Sequence, residues 1–178
     1  MNKQGRFDQA VNSSSMSALA EIAVEDMERL IDTPHYTPNY GVWLNFESYS
    51  PKKCKACLAG AVMLFTNGAR VNSDVNKFVQ PSWAMALEDL RQGDLFSAYQ
   101  HLTLLSHEDS NSDEYNIVRN AVREMSVDYT IRWKHSNFGS NKKARRFVND
   151  LKRIIPKLRK VDERIAAGMD KLKERKIK

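Results

Sequence analysis

The stretch FVNDLKRIIPKLRKVDERIAAGMDKL, residues 147–172, decides how this chain folds. Phe147, Leu151, Ile154, Leu158, Val161, Ile165, Gly168 and Leu172 follow one another at spacings of 4, 3, 4, 3, 4, 3 and 4. On a helix that rhythm draws one continuous apolar seam, while Lys and Arg crowd the remaining faces. Such a seam has to be covered, either by the body of the same chain or by a second copy, so a homodimer through Phe147–Leu172 stands beside intramolecular packing. Pro156 objects to a continuous helix. It lacks the N–H of the ladder and its ring crowds the preceding turn, a cost of about 3 kcal/mol in a helix interior. A break or bend near Ile155 is therefore expected.

Charge divides the chain at about the same place. From Arg132 to Lys178 there are 17 Lys and Arg against 5 Asp and Glu, net +12; from Met1 to Ile131 there are 11 against 17, net −6. Asymmetry of this kind implies an anionic partner for the C-terminal region, or that region folding against its own acidic body. The candidate phosphate-binding residues are Lys142, Lys143, Arg145, Arg146, Lys152, Arg153, Lys157, Arg159 and Lys160. Clustered cations bind DNA or RNA through counterion release and need no sequence motif to do so. Few aromatic side chains lie among them beyond Phe138 and Phe147, which argues against base stacking on single strands. A basic amphipathic helix can also lie on an anionic membrane, but this seam lacks the Trp and Phe of an interfacial helix, so no membrane partner is expected.

Upstream, helical signals recur. Ser15 or Ser17 can cap a helix running to about Ile31, with Leu19, Ile22, Ala23, Met27, Leu30 and Ile31 on one stripe. Pro34 and Pro38 end it. Val42, Leu44 and Phe46 alternate like a short strand or hairpin within 42–49. Ser50-Pro51 reads as a hydroxyl cap followed by a first-turn proline, opening a helix through Cys54, Cys57 and Ala61 to Asn67-Gly68. Further helices are expected from Pro81-Ser82 to Gly93, from Asp94 through Leu105, and from Tyr115 to about Trp133, with a polar surface loop over 106–114. His135–Ser140 is the candidate hinge. The predicted fold is all-α, a single helical domain with at most one short strand or hairpin. Residues 1–14 form a flexible lead-in, 15–134 a helical body and 140–178 the basic C-terminal helices.

Hydrophobic residues at 42% exclude a wholly disordered chain, and no apolar run approaches the roughly 20 residues needed to span a bilayer. The polar N-terminus has no hydrophobic segment of a secretory signal, and two cysteines make no disulfide framework, so a reducing cytoplasm is the expected setting. Cys54 and Cys57 admit three readings. Three apart on a helix they share a packed face; flanked by Lys52, Lys53 and Lys55 they could be redox-active; with two of His35, His101, His107 and His135 they could hold zinc. Packing is preferred, because no thioredoxin-like strand pattern surrounds them and the histidines are scattered.

Catalytic signatures are lacking: the sequence contains no phosphate-binding Gly-rich loop, no G-x-G-x-x-G, no H-E-x-x-H and no G-x-S-x-G. Glu25, Asp26, Glu28, Glu88, Asp89, Asp113 and Glu114 read as solvated helix faces and caps, although paired carboxylates could serve a small metal-dependent nuclease. The same holds for His107-Glu108-Asp109. Tyr36, Tyr40, Trp43, Phe46 and Tyr49 read as core and loop anchors. No catalytic residue and no cofactor is therefore assigned.

The segment Cys54-Lys55-Ala56-Cys57-Leu58-Ala59-Gly60-Ala61-Val62-Met63, followed by Ala86-Leu87-Glu88-Asp89-Leu90-Arg91-Gln92-Gly93-Asp94, resembles small accessory proteins encoded by bacteriophages. The likeness covers about Val42 to Leu105 and carries no chemistry over to any residue. It implies a context: an accessory phage gene product in a bacterial host cytoplasm, where such proteins bind or inhibit host machinery. The leading expectation is a non-enzymatic protein that binds nucleic acid, or the acidic surface of a nucleic-acid-handling protein. The rivals are a stoichiometric inhibitor of a host defence or polymerase protein, acting through the Tyr36–Tyr49 patch or the seam, and a small metal-dependent nuclease or zinc protein.

Overall fold

A computed structural model describes residues 2–42, 44–47, 50–67, 81–126 and 136–177. Among the described residues seven α-helices surround one core: α1 (Lys3–Asn12), α2 (Met16–Asp32), α3 (Leu58–Phe65), α4 (Ser82–Gln92), α5 (Leu95–Thr103), α6 (Asp113–Ser126) and α7 (Asn141–Ile177). Three short strands, β1 (Tyr36–Pro38), β2 (Leu44–Glu47) and β3 (Ser50–Ala56), form a sheet in the order β1-β3-β2. β1 runs parallel to β3 and β2 antiparallel to it, with Tyr36 opposite Cys54 and Leu44 opposite Ala56. The fold class is the expected mainly helical single domain, with a small sheet in place of the one short strand or hairpin foreseen.

Helix α2 is the central post. Ser15 caps it, accepting from the Ala18 N–H, and Met16, Leu19, Ala20, Ile22, Ala23, Met27 and Leu30 are wholly or almost wholly buried. α1 packs on one side, α3 and the sheet on another, and α7 lies antiparallel along a third.

Several expectations are corrected. Residues 1–14 are not a loose lead-in: Asn2 caps α1 and Phe7 and Ala10 enter the core, Phe7 meeting Trp83 edge-on at 5.0 Å. The buried Asp26 carboxylate holds α1 in place, accepting from Lys3 Nζ and from Oγ1 of Thr66, the residue that follows α3, each at 2.5 Å. Ser50-Pro51 opens a strand, not a helix. Lys53 and Lys55 are exposed while Cys54 and Ala56 are buried, the period-two alternation of a half-buried strand. Pro51 is tolerated because it lies in the irregularity of the β2–β3 ladder, where the pairing jumps from Phe46↔Cys54 to Glu47↔Ser50 and the register passes over residues 51–53. The helix begins at Leu58 with Cys57 as its cap, and it ends at Phe65. The helical reading of 127–133 lies outside the described residues, as does Gly68.

α4 ends at Gly93, whose φ of 85° suits glycine, and the Asp94 carboxylate caps α5 through the Ser97 N–H, as the sequence predicts. Residues 106–112 are an exposed connection containing one short 3-10 turn. The part of the expected hinge that is described, Ser136–Ser140, is clamped. Phe138 is fully buried against Phe147, its carbonyl accepts from the Tyr40 N–H, and the Ser136 carbonyl accepts from Arg91.

The largest correction concerns α7, which runs unbroken through Pro156 for 37 residues. Pro156 is exposed, on the side away from the seam. Lys152, whose carbonyl loses its helical N–H to the proline, is exposed too, so that carbonyl is on a side of the helix open to water. The seam itself is spent inside the molecule: Phe147, Leu151, Ile154 and Leu158 are completely buried and Val161 nearly so. A homodimer through Phe147–Leu172 is ruled out in this fold, because α2 and α6 already cover the seam. Gly168 marks a close approach of α7 to α6, since a Cβ there would come within 2.6 Å of the Ile117 side chain.

Candidate phosphate-binding face

Because the seam points inward, the cations of α7 are sorted by angle into two flanks and an outer stripe. Arg145, Lys152 and Arg159 recur every seven residues on the flank facing α2. They meet Asp32, Glu28 and Glu21 at 2.5, 2.6 and 2.6 Å, the acids running in reverse order as antiparallel helices require. On the opposite flank Arg164 meets Glu124 and Lys176 meets Glu114, both at 2.8 Å. These are edge pairs of the kind that set register between packed helices. Both partners of the Arg145–Asp32 pair are more than half exposed (55% and 63%), so each such pair contributes about 0–1 kcal/mol.

Lys142, Arg146, Arg153 and Lys160 fall within about 40° of one another around the helix and span roughly 27 Å along it. All four are exposed. Arg153 has only a loose contact with Asp150 at 3.5 Å, and no ion pair among the described residues engages Lys142, Arg146 or Lys160. Lys143 is exposed in the first turn, and Lys157 is half-buried and already engaged. α7 carries no acid in its first turn, so the partial positive charge of the helix N-terminus adds to Lys142, Lys143 and Arg146. The nine sequence candidates thus separate. Three cross-link the fold, Lys143 and Lys157 lie aside, and four form the outward face.

Cys54 and Cys57 are placed on different elements, one on β3 and one capping α3, where Sγ of Cys57 accepts from the Gly60 N–H at 3.4 Å. Both are buried, and burial pushes each thiol up to about 11, so both are protonated thiols rather than thiolates at neutral pH. That is the reverse of the lowered value a redox cysteine needs. Among the described residues no group of three or more His, Cys, Asp or Glu could hold a metal. His101 bonds Asp89 instead, Nδ1 to Oδ2 at 2.6 Å, while His135 and the side chain of His107 lie outside the description. Of the aromatic group near the sheet, Tyr36 packs beside Phe65 at 6.3 Å and Tyr40 lies under the Arg91 guanidinium.

Sequence patterning missed two arrangements. One is the Asp162 carboxylate, which accepts from the Ser15 hydroxyl, from both the N–H and hydroxyl of Ser17, from the Met16 N–H and from the Tyr99 hydroxyl. The other is the Asp89–His101 pair, brought together by the helical hairpin that Gly93-Asp94 turns. Its only signal was the hairpin itself.

Fold and face together define a mainly helical domain with a cationic ridge on its longest helix, and no described helix is long and apolar enough to cross a membrane. Comparison with protein-family models, with curated proteins and with solved structures finds no match for this chain.

Proposed function

We propose that this chain is a non-enzymatic binding protein that holds nucleic acid by its phosphates on the outward face of α7, as a phage-type accessory protein working in a bacterial cytoplasm. The observation that supports it is the stripe of Lys142, Arg146, Arg153 and Lys160, exposed on the outer side of α7 while Arg145, Lys152 and Arg159 are taken up by carboxylates of α2. Buried seam and exposed stripe are two faces of one helix, so the backbone already holds the cations in a row and only their side chains lose freedom when a partner binds. Four phosphate contacts on duplex DNA give a slope of log affinity against log salt of about −3.6.

The test is anisotropy of a labelled duplex and of a labelled single strand across a salt series. The combined variant Lys142→Glu, Arg146→Glu, Lys160→Glu should lose about a hundred-fold or more in affinity while its unfolding stays within about 0.5 kcal/mol of the parent, because surface substitutions touch no core contact. Removal of everything after Gly139 is not a usable test, since it takes Phe147, Leu151, Ile154 and Leu158 out of the core. Undiminished binding by the reversed variant, or a protein captured from bacterial lysate that survives nuclease treatment and is indifferent to the reversal, would overturn the proposal. The second result would favour a host-protein inhibitor.

A further inference from the structure

α5 ends abnormally. Leu104 takes the left-handed conformation, φ 58°, that glycine or asparagine normally supplies after a helix, and its side chain is 76% exposed. The conformation costs of order 1 kcal/mol, and the exposure of a large apolar side chain adds to it. Beside it opens a hollow of about 390 Å³, lined by Ser82, Gln100, His101, Leu104 and Leu105 among others.

Two polar groups on this lining have unspent hydrogen-bonding capacity. Gln100 is 6% exposed, and its side-chain amide has no hydrogen-bond partner among the described residues, while its backbone carbonyl accepts from the Leu105 N–H and the Thr103 hydroxyl. A buried amide with two donors and an acceptor idle is a group that native interiors pair with protein, water or ligand. Next along the helix, His101 gives its Nδ1 to Asp89. A carboxylate on Nδ1 fixes the ring and directs Nε2, the arrangement that orients working imidazoles.

We propose that this hollow binds a small heteroaromatic molecule whose edge carries neighbouring hydrogen-bond donor and acceptor atoms, the pattern of a nucleobase. The Gln100 amide matches such an edge with two parallel bonds, as a glutamine amide does with adenine. Nε2 of His101 hydrogen-bonds a further polar atom, and Leu104 and Leu105 supply apolar contact for the ring. The volume sits at the small end of ligand sites, sufficient for a base or nucleoside. The base could belong to a free nucleoside or to a nucleic-acid strand. This proposal is independent of the cationic face on α7.

The test titrates adenosine, guanosine, cytidine and uridine separately into the full chain, followed by calorimetry and by NMR of the His101 ring and the Gln100 side-chain amide. At least one nucleoside should bind and shift both groups. Gln100→Met keeps the volume and removes the unpaired amide, so it should weaken that nucleoside about ten-fold or more while raising the melting temperature. Short single strands of the same base, run on the variant reversed at Lys142, Arg146 and Lys160, separate the sources. A strand that shifts His101 more strongly than the nucleoside assigns the site to a base within nucleic acid, and the opposite order assigns it to a free nucleoside. The proposal is overturned if none of the four nucleosides moves His101 and Gln100, or if Gln100→Met lowers the melting temperature and leaves affinity unchanged.

Discussion

Replacing Asp162 by Ala should be the most damaging single substitution on the polar side of α7. Its carboxylate takes five hydrogen bonds, at 2.8 Å from the Ser15 hydroxyl, 3.2 Å from the Met16 N–H, 2.9 and 2.6 Å from the Ser17 N–H and hydroxyl, and 2.6 Å from the Tyr99 hydroxyl. It thereby joins the N-terminus of α2 to α5 and α7, and its charge sits where the dipole of α2 favours an anion. A hydrogen bond to a charged group contributes about 1.5–3 kcal/mol, but bonds that share one acceptor do not add, and water reaches this half-exposed residue. The loss of a helix cap alone costs about 1–2 kcal/mol, and the buried Tyr99 hydroxyl, deprived of this carboxylate, adds about 1 kcal/mol more. The expected destabilisation is about 3 kcal/mol, or a melting temperature lower by roughly 6–12 °C for a chain of this size. Urea unfolding followed by circular dichroism measures it. Tyr99→Phe should cost about 1–2 kcal/mol alone and clearly less in the Asp162→Ala background, because the two share a bond. A loss below about 1 kcal/mol for Asp162→Ala, or strict additivity of the pair, would refute the idea that this carboxylate ties three helices together.

Two further outcomes follow from the packing. Gly168→Ala should destabilise by about 1 kcal/mol, the crowding of Ile117 at 2.6 Å outweighing alanine's better helix propensity; in an Ile117→Ala background the same change should stabilise, and thermal melts of the four proteins check the reversal of sign. Burial holds the Asp26 carboxyl above its ordinary 3.8, opposed by the hydrogen bonds from Lys3 and Thr66. The fold therefore disfavours its charged form, a penalty present at neutral pH and relieved as pH falls through the raised folded value toward 3.8. The stability of the parent relative to Asp26→Asn should accordingly rise on acidification across that window, measured by urea unfolding at several pH values; a relative stability that falls on acidification contradicts the assignment.

The helices that announced themselves by chemistry local to a few residues were legible in the sequence. Ser15 as a cap, Gly93 as a stop, Asp94 as a start and the four-three rhythm from Phe147 to Leu172 each depend on bonds or periodicity within one element, which no distant contact has to supply. The two local misreadings share a cause. At Ser50-Pro51 and at Pro156 a proline was weighed by its intrinsic preference, whereas its cost depends on which side of the ladder is occupied and whether water reaches the orphaned carbonyl. Both are properties of neighbours.

The sequence by itself determined that the chain is mainly helical, that its longest apolar seam had to be covered, and that positive charge would gather along one helix, because composition and periodicity act residue by residue. What covers the seam, and which cations of α7 are taken up by the acids of α2, was settled only by the packing of the elements. Arg145, Lys152 and Arg159 differ from Lys142, Arg146 and Lys160 in nothing but angle around α7, and that angle acquires meaning only when the acids of α2 lie alongside.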